Sequence, residues 1–487
     1  MGVSERIFFE DEFDEACELA RSMIKEMEEP VIITHHDADG ISASGVLMSF
    51  FKKEPIKTVA LSGFDPVRAM KISKLRAENI VFLDLGSGQL NTIKRYLVGA
   101  QKIVILDHHK PEIKEFRPDF AGKTEIVQVN AHLFGLDGSR EISGAGVVYA
   151  VTKLRPELAL VGAIGDMQFR YHEKGRLVGY NYTHILPNSD VEERVDITLY
   201  GRETRPIYVA LEYCTEPFLP GLTGDKEACL NFLKSLRIPL KNEYGGWRTI
   251  ADLPPEEKTK LVDGLVKLLI SNGVPLKKYK SLVGFVYRLP DEKPFLRDLR
   301  EYSTMLNACG RLKRYEVGLK VVQYDENIYD REKAIREAAG VLAKYKKMLA
   351  EGIKALNDVK KGGLIESLPN ITATYVKDAI NDRIVGVVLG MALGGRIIDF
   401  KKPALIAADM LEQEGMVKIS TRALKEHIKR GINLRDALVK AKNELKLENS
   451  EAGGHDIAAG AIIPKEKLRE YIKHVDEKIG EQIMRRA

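Results

Sequence analysis

The chain runs to 487 residues, 44% of them hydrophobic and 30% charged, with 75 Lys and Arg against 70 Asp and Glu for a formal net charge of +5. That length is too great for one core and predicts two to four domains, while the near-balanced charge excludes wholesale attraction of a polyanion, so a nucleic-acid surface would be a local basic patch. No run of about 18 uncharged apolar residues is present to span a bilayer, and acids in place of an apolar core near the N-terminus, with four scattered cysteines of no zinc-type spacing, predict a cytoplasmic chain with reduced thiols and no membrane contact.

From about residue 10 to 195 the pattern alternates between helix and strand. Residues 10–27 read as an amphipathic helix. Val31-Ile32-Ile33-Thr34 reads as a strand leading into His35-His36-Asp37-Ala38-Asp39-Gly40, with a helix from about Gly40. Strands follow near 58–61, 80–83, 103–106 and 126–129, with helices between most of them. Leu160-Val161-Gly162-Ala163-Ile164-Gly165 reads as one more buried strand, closed by Asp166. This alternation predicts an α/β lobe with a doubly wound parallel sheet. Between about 200 and 300, a turn over 218–224 and helical patterns at 227–236 and 255–270 predict a small, mostly helical insertion. Residues 332–357 read as a long charged helix linking lobes. From about 363, strand-like runs at 372–375, 404–408 and 416–420 alternate with helices, which predicts a second, smaller α/β lobe. The expected divisions are 1–198, 199–360 and 361–487.

The apolar runs end in acids: Asp84 after Ile80-Val81-Phe82-Leu83, and Asp107-His108-His109 after Lys102-Ile103-Val104-Ile105-Leu106. Runs of this kind suit strands buried on both faces of a parallel sheet, and in such sheets the ligand crevice lies outside the carboxyl ends. Asp37 and Asp39, two apart on an extended segment, would point the same way. Carboxylates gathered so closely repel one another unless cations lie between them. Carboxylate and imidazole donors suit Mn²⁺ and related ions better than a thiolate site would. Two such ions about 3.5–4 Å apart, sharing a carboxylate, support phosphodiester hydrolysis. Ser143-Gly144-Ala145-Gly146 precedes a helical pattern, where small residues let backbone amides approach a phosphate. In the second lobe, Gly453-Gly454-His455-Asp456 would let the backbone approach a ligand while His455 donates to phosphate. Lys418-Ile419-Ser420-Thr421-Arg422 places a hydroxyl and a guanidinium on alternating positions.

His35-His36-Asp37-Ala38-Asp39-Gly40, Asp84-Leu85-Gly86, Asp107-His108-His109 and Gly165-Asp166 resemble, in order, the four motifs of the DHH phosphoesterase superfamily. The resemblance implies two divalent cations, Mn²⁺ in first place and Mg²⁺ as the alternative. His35, Asp37 and Asp84 would hold one ion, and Asp39, Asp84, His108 and Asp166 the other, with Asp84 as the bridge. His36 would stay outside the ligand set, Asp107 would orient a ligand, and His109 would contact the scissile phosphate. Ser143 and Gly144 fall in a segment the superfamily carries between its third and fourth motifs.

The second-lobe segments resemble the DHHA1 lobe, which implies Ser420, Arg422, Gly454 and His455 as substrate contacts. Leu306-Asn307-Ala308-Cys309-Gly310-Arg311 resembles a segment of archaeal RecJ-like proteins, where Arg311 would bind a phosphate bidentately. The two-lobe layout, the insertion and the length resemble those archaeal nucleases, which implies a single-strand exonuclease on DNA, and on RNA as well, in replication or repair. A helicase or replication-complex protein would be its partner. The similarity leans towards the Hef-associated branch, implying 3′→5′ polarity, over the GINS-associated 5′→3′ branch. The alternatives are an oligoribonuclease or small-nucleotide phosphodiesterase of the same superfamily, a pyrophosphatase, and a non-catalytic replication scaffold.

Overall fold

The computed structural model describes residues 8–485 apart from 52–56, 172, 215–216, 275–278, 324–327, 395–397, 399–400 and 448–449. The chain divides into two compact units, Met1–Leu342 and Ala343–Ala487. The division falls inside the 34-residue helix Ile328–Lys361. No described helix is long and apolar enough to cross a membrane. The four cysteines are buried and none forms a disulfide, and burial pushes the Cys17 and Cys309 thiols up to about 12.

The first unit is built on six strands: β1 (Val31–His35), β2 (Lys57–Leu61), β3 (Asn79–Leu83), β4 (Lys102–Asp107), β5 (Asp119–Ala121) and β6 (Thr124–Asn130). Their order is β2-β1-β3-β4-β6-β5, all parallel except β5, which runs antiparallel along β6 at the edge. Ile32, Ile33, Val81, Phe82, Val104 and Ile105 have no exposed surface, because both faces of the central strands are covered. On one face lie α1 (Glu10–Lys25), α2 (Ala38–Met48) and α5 (Gly144–Thr152). On the other, α3 (Pro66–Ser73) and α4 (Leu90–Tyr96) bury Ala69, Ile72, Leu90 and Ile93 against Ile33, Phe82 and Ile105. This is the expected doubly wound sheet. Parallel register keeps the strand ends level: Thr34 pairs with Leu83 and Leu83 with Leu106, so His35, Asp84 and Asp107 emerge on one edge.

The run Leu160–Gly165 is not a strand. It belongs to α6 (Pro156–Gly165), and every residue from Leu158 to Ile164 is buried. α6 packs against α2 and α5, so it has no solvent face and no 3.6-residue polarity pattern to betray a helix. Asp166 therefore arrives from a helix C-terminus rather than a strand end.

The insertion is mostly helical, with α7 (Ile207–Glu212), α8 (Lys226–Ser235) and α9 (Pro255–Ser271) burying Leu211, Cys229, Leu233, Leu261, Leu265 and Leu269 together. An antiparallel pair, β7 (Glu192–Ile197) with β8 (Val283–Arg288), brackets these helices; sequence patterning did not reveal it.

The second unit carries β9 (Ile365–Ser367), β10 (Thr372–Tyr375), β11 (Ala404–Asp409), β12 (Met416–Arg422), β13 (Glu451–Gly454) and β14 (Ala458–Pro464). They form a sheet of order β13-β14-β12-β11-β10-β9, in which only β10 and β11 are parallel. Val417, Ile419, Ala459, Ala461 and Ile463 alternate along β12 and β14 and bury one face against Leu438 of one helix and Tyr471 and Val475 of another.

Candidate metal centre

Three strand ends and two helix ends deliver the chemistry. His35 is the last residue of β1. Asp37 caps α2, its Oδ1 accepting the N–H of Gly40 at 3.1 Å. Asp39 lies inside the first turn of α2, so these two acids are not on an extended segment. The helical turn separates them and sends them into two adjacent groups. Asp84 follows β3 with φ 57°, a left-handed conformation that costs energy in any residue but glycine and concentrates at functional sites. Asp107 ends β4, and His108 and His109 follow. Asp166 terminates α6.

The donor atoms of His35, Asp37 and Asp84 lie within 4.8 Å of one another, as do those of Asp39, His108 and Asp166. Asp84 joins the two groups. Its Oδ2 is 3.4 Å from His35 Nδ1, and its Oδ1 is 3.1 Å from His108 Nε2. His35 Nδ1 is also 2.8 Å from Asp37 Oδ2, and His108 Nε2 is 3.3 Å from Asp166 Oδ2 and 3.7 Å from Asp39 Oδ2. Both carboxylate oxygens of Asp84, His35 Nδ1 and His108 Nε2 are buried yet have no hydrogen-bond partner. Orphaned polar atoms cost about 1–3 kcal/mol each, and carboxylate and imidazole atoms aimed at each other in this way fit divalent cations.

The electrostatics agree. Burial opposes charge on His35, but Asp37 and Asp84 outweigh it and hold its pKa well above the usual imidazole range. Burial likewise opposes charge on His108, and Asp84, Asp166 and Asp39 hold its pKa well above that range. Burial, then Asp84, pushes Asp39 up to about 7, and burial, then Asp39, pushes Asp166 well above the carboxylate range. Asp37 moves the other way: burial is outweighed by His35, which holds it below the usual range. Cations ligated by these groups would therefore displace protons from them.

These shifts make stability depend on pH. His35 and His108, raised, stabilise the fold at low pH and lose that contribution as pH rises through their folded values. Asp39 and Asp166, also raised, cost stability progressively above the ordinary carboxylate range, Asp39 up to about 7. All four make the chelated protein weaker as pH rises, and all four make cation binding stronger. Melting curves should therefore show the gain in Tm from Mn²⁺ over chelator growing between about pH 6 and about pH 8. A gain that shrinks across that window contradicts the assignment.

Surrounding residues hold these side chains in place. Asp107 Oδ1 accepts the N–H groups of His108 (2.8 Å) and His109 (3.1 Å) and His109 Nδ1 (2.8 Å), while its Oδ2 accepts the N–H of Ser87 (3.0 Å). It is therefore spent on orientation. His108 Nδ1–H donates to the carbonyl of Gly138 at 2.6 Å, which fixes the ring with Nε2 towards Asp84. His36 is turned away: its Nδ1 donates to Leu61 O at 3.1 Å, and burial takes its pKa down to about 4. Gly138, and Gln168, which donates to the same carbonyl at 2.9 Å, carried no sequence signal.

Ser143 and Gly144 have a different job from the phosphate cradle their composition suggested. Ser143 Oγ caps α5, accepting the N–H of Gly146. The amides of Gly144 and Ala145 donate to Asp39, to Oδ2 at 2.6 Å and Oδ1 at 3.0 Å. The helix N-terminus is spent on a protein carboxylate, and its small residues serve that close approach.

Arg311 ends the helix Leu299–Arg311 and lies near enough to His36 to depress its pKa. Its guanidinium enters no ion pair among the described residues. In the second unit, β12 pairs Thr421 with Ala459 of β14, which pairs with Gly454 of β13, so Ser420, Arg422, Gly454 and His455 share one end of the sheet. They differ in access. Ser420 is 6% exposed and lies under the helix Val385–Gly394, whose Gly386 would place a Cβ 2.9 Å from Ser420 Oγ and 3.1 Å from Arg422 Nη2. Gly454, at φ 122°, and His455 are exposed at the β13–β14 turn.

Residues 30–167 match the DHH family N-terminal domain, 199–283 the DHH-CID domain and 369–481 the DHHA1 domain. An uncharacterized protein of Methanocaldococcus jannaschii is 31% identical over 471 residues, which is 93% of this chain and 94% of that protein. The fold is also that of RecJ from Thermus thermophilus in complex with Mn²⁺, with TM-score 0.54 and 14% identity over 96% of this chain. This chain spans only 55% of that protein's length. CDC45 from Entamoeba histolytica has the fold too, with TM-score 0.57 and 13% identity over 96% of this chain and 99% of its own. With its three domains matched and a near full-length relative at that identity, the chain belongs to the DHH superfamily, and its fold is that of RecJ.

Proposed function

We propose that this protein is a metal-dependent exonuclease that hydrolyses phosphodiesters from the end of single-stranded DNA, and of RNA as well, in the 3′→5′ direction implied by its likeness to the Hef-associated branch. The carrying observation is Asp84, whose two orphaned oxygens each face a separate group of donor atoms. His35, Asp37 and Asp84 would hold one divalent cation, and Asp39, Asp84, His108 and Asp166 the other, with Mn²⁺ the first choice and Mg²⁺ the second. When bound, such a pair neutralises phosphate charge and lowers the pKa of a water nucleophile.

The chain's own residues supply the rest. Asp107 fixes the ring of His109, and burial is outweighed by Asp107 in raising the His109 pKa, which favours the cationic form. That imidazole, with 39% of its side chain exposed, is the group we assign to the scissile phosphate. Asp39 and Asp84 are sealed, whereas His35, Asp37 and Asp166 keep 23%, 24% and 25% of their side chains exposed. One open side suits the end of a flexible strand better than a duplex, which would have to melt first. Arg311, Ser420, Arg422, Gly454 and His455 are the backbone-gripping residues in this reading. Residues 1–198, 199–360 and 361–487 would be the catalytic, insertion and substrate-binding parts. A helicase or replication-complex protein would be the partner in this reading.

A time course on 20-mer DNA and RNA labelled at either end, with Mn²⁺ and then with chelator, tests the proposal. A metal-dependent ladder is expected, and the label gives the polarity. Cleavage of dinucleotides alone would replace it with a small-nucleotide phosphodiesterase. Absence of all cleavage would favour a scaffold.

A further inference from the structure

The helix Leu299–Arg311 lies outside the segment that carries the metal-facing side chains, yet it grips the first motif at two points. Asn307 Oδ1 accepts the backbone N–H of Ala38 at 3.1 Å, on the residue between Asp37 and Asp39. Three residues on, Gly310 packs so tightly on His36 that a Cβ there would sit 1.7 Å from its carbonyl oxygen. The two contacts flank Asp37, at the point where the chain enters α2. The N–H of Ala38 is one of the donors at the start of α2 that no residue of its own helix can satisfy. Its partner comes instead from a helix more than 250 positions later.

That helix cannot easily slide. Asp298 caps it, accepting the N–H of Arg300 at 2.9 Å and of Glu301 at 3.2 Å. Glu301 is tied to the start of the insertion through the N–H of Glu203 at 2.9 Å. The buried guanidinium of Arg202 lies among Asp196, Glu203 and Asp298. Shifting the helix would leave these charges buried without partners, which is costly.

We infer that Asn307 is a positioning residue for the first ion: it fixes the rotation of the peptide before Ala38 and thereby the angle at which Asp37 meets His35 and Asp84. The inference rests on the two-cation reading above. Asn307→Leu keeps the volume and removes the acceptor; Asn307→Asp keeps the acceptor. Titration of the full-length chain with Mn²⁺, followed by electron paramagnetic resonance of free and spin-coupled ion, reads both sites without any turnover. Asn307→Leu should weaken one site by roughly 10-fold or more, spare the other and lose the spin-coupled signal, and Asn307→Asp should restore it. Unchanged binding by Asn307→Leu, equal weakening of both sites, or failure of Asn307→Asp to restore the signal overturns the assignment. A wild-type chain that binds fewer than two ions overturns the cation reading itself, and the role of Asn307 with it.

Discussion

Asp84→Asn is expected to abolish cleavage and the thermal stabilisation by Mn²⁺ together. The substitution keeps the side-chain volume, so packing beside Gly144 survives, but it removes the charge that both groups share. Asp84 is 1% exposed, with one oxygen 3.4 Å from His35 and the other 3.1 Å from His108. Among the described residues, no other carboxylate faces both histidines at those distances. A ligand that binds only the folded state at 100 times its Kd stabilises by about 2.7 kcal/mol, and that gain should vanish from the melting curve. Activity should fall well beyond the roughly 10–100-fold loss expected when a supporting outer residue is removed. Asp107→Asn provides that comparison, because Asp107 spends its oxygens on Ser87, His108 and His109. Equal losses in the two variants, or two tightly bound Mn²⁺ in Asp84→Asn, would refute the bridging role.

Much of this centre was legible because parallel strands impose two strong local signals. Continuous apolar runs such as Ile103–Leu106 can exist only where both faces are covered, and the residues just after such a run land on one edge of the sheet. That places His35, Asp84 and Asp107 from pattern alone. Asp166 was found by its motif and misplaced by its neighbourhood, since a helix buried all round has the same composition as a buried strand. Asp37 and Asp39 were paired on strand geometry, although a helix begins between them and separates their targets. The amides of Gly144 and Ala145, at a helix start whose small residues suit a phosphate, donate instead to Asp39 of the chain itself. Asn307 had no signal of its own for this role. A hydrogen bond across more than 250 positions leaves no trace in spacing or hydrophobic period.

Gly162→Ala is the second substitution with a large expected effect, and it acts through packing rather than charge. The added methyl would lie 2.2 Å from Asp39 Oδ1 and 2.8 Å from Ala145 Cβ. Asp39 cannot retreat, because it is wholly buried and both its oxygens are held by α5 amides. α6 must therefore move off α2. Asp166 sits at the end of α6, so one methyl displaces Asp166 from the donors grouped around His108 while Asp39, His35 and Asp37 stay in place. Overpacking of this kind costs about 1–3 kcal/mol, readable as a fall in Tm. The informative readout is stoichiometry: one Mn²⁺ retained per chain instead of two, with cleavage lost even at temperatures where the variant is fully folded. Gly340→Ala is the control, since nothing lies within 4 Å of its Cβ position. At an exposed position of its helix that change should stabilise by roughly 0.5–1 kcal/mol and leave two ions bound. If Gly162→Ala melts early but binds both ions and cleaves normally, the contact between α6 and Asp39 is structural alone, and the second ion does not depend on where Asp166 is held.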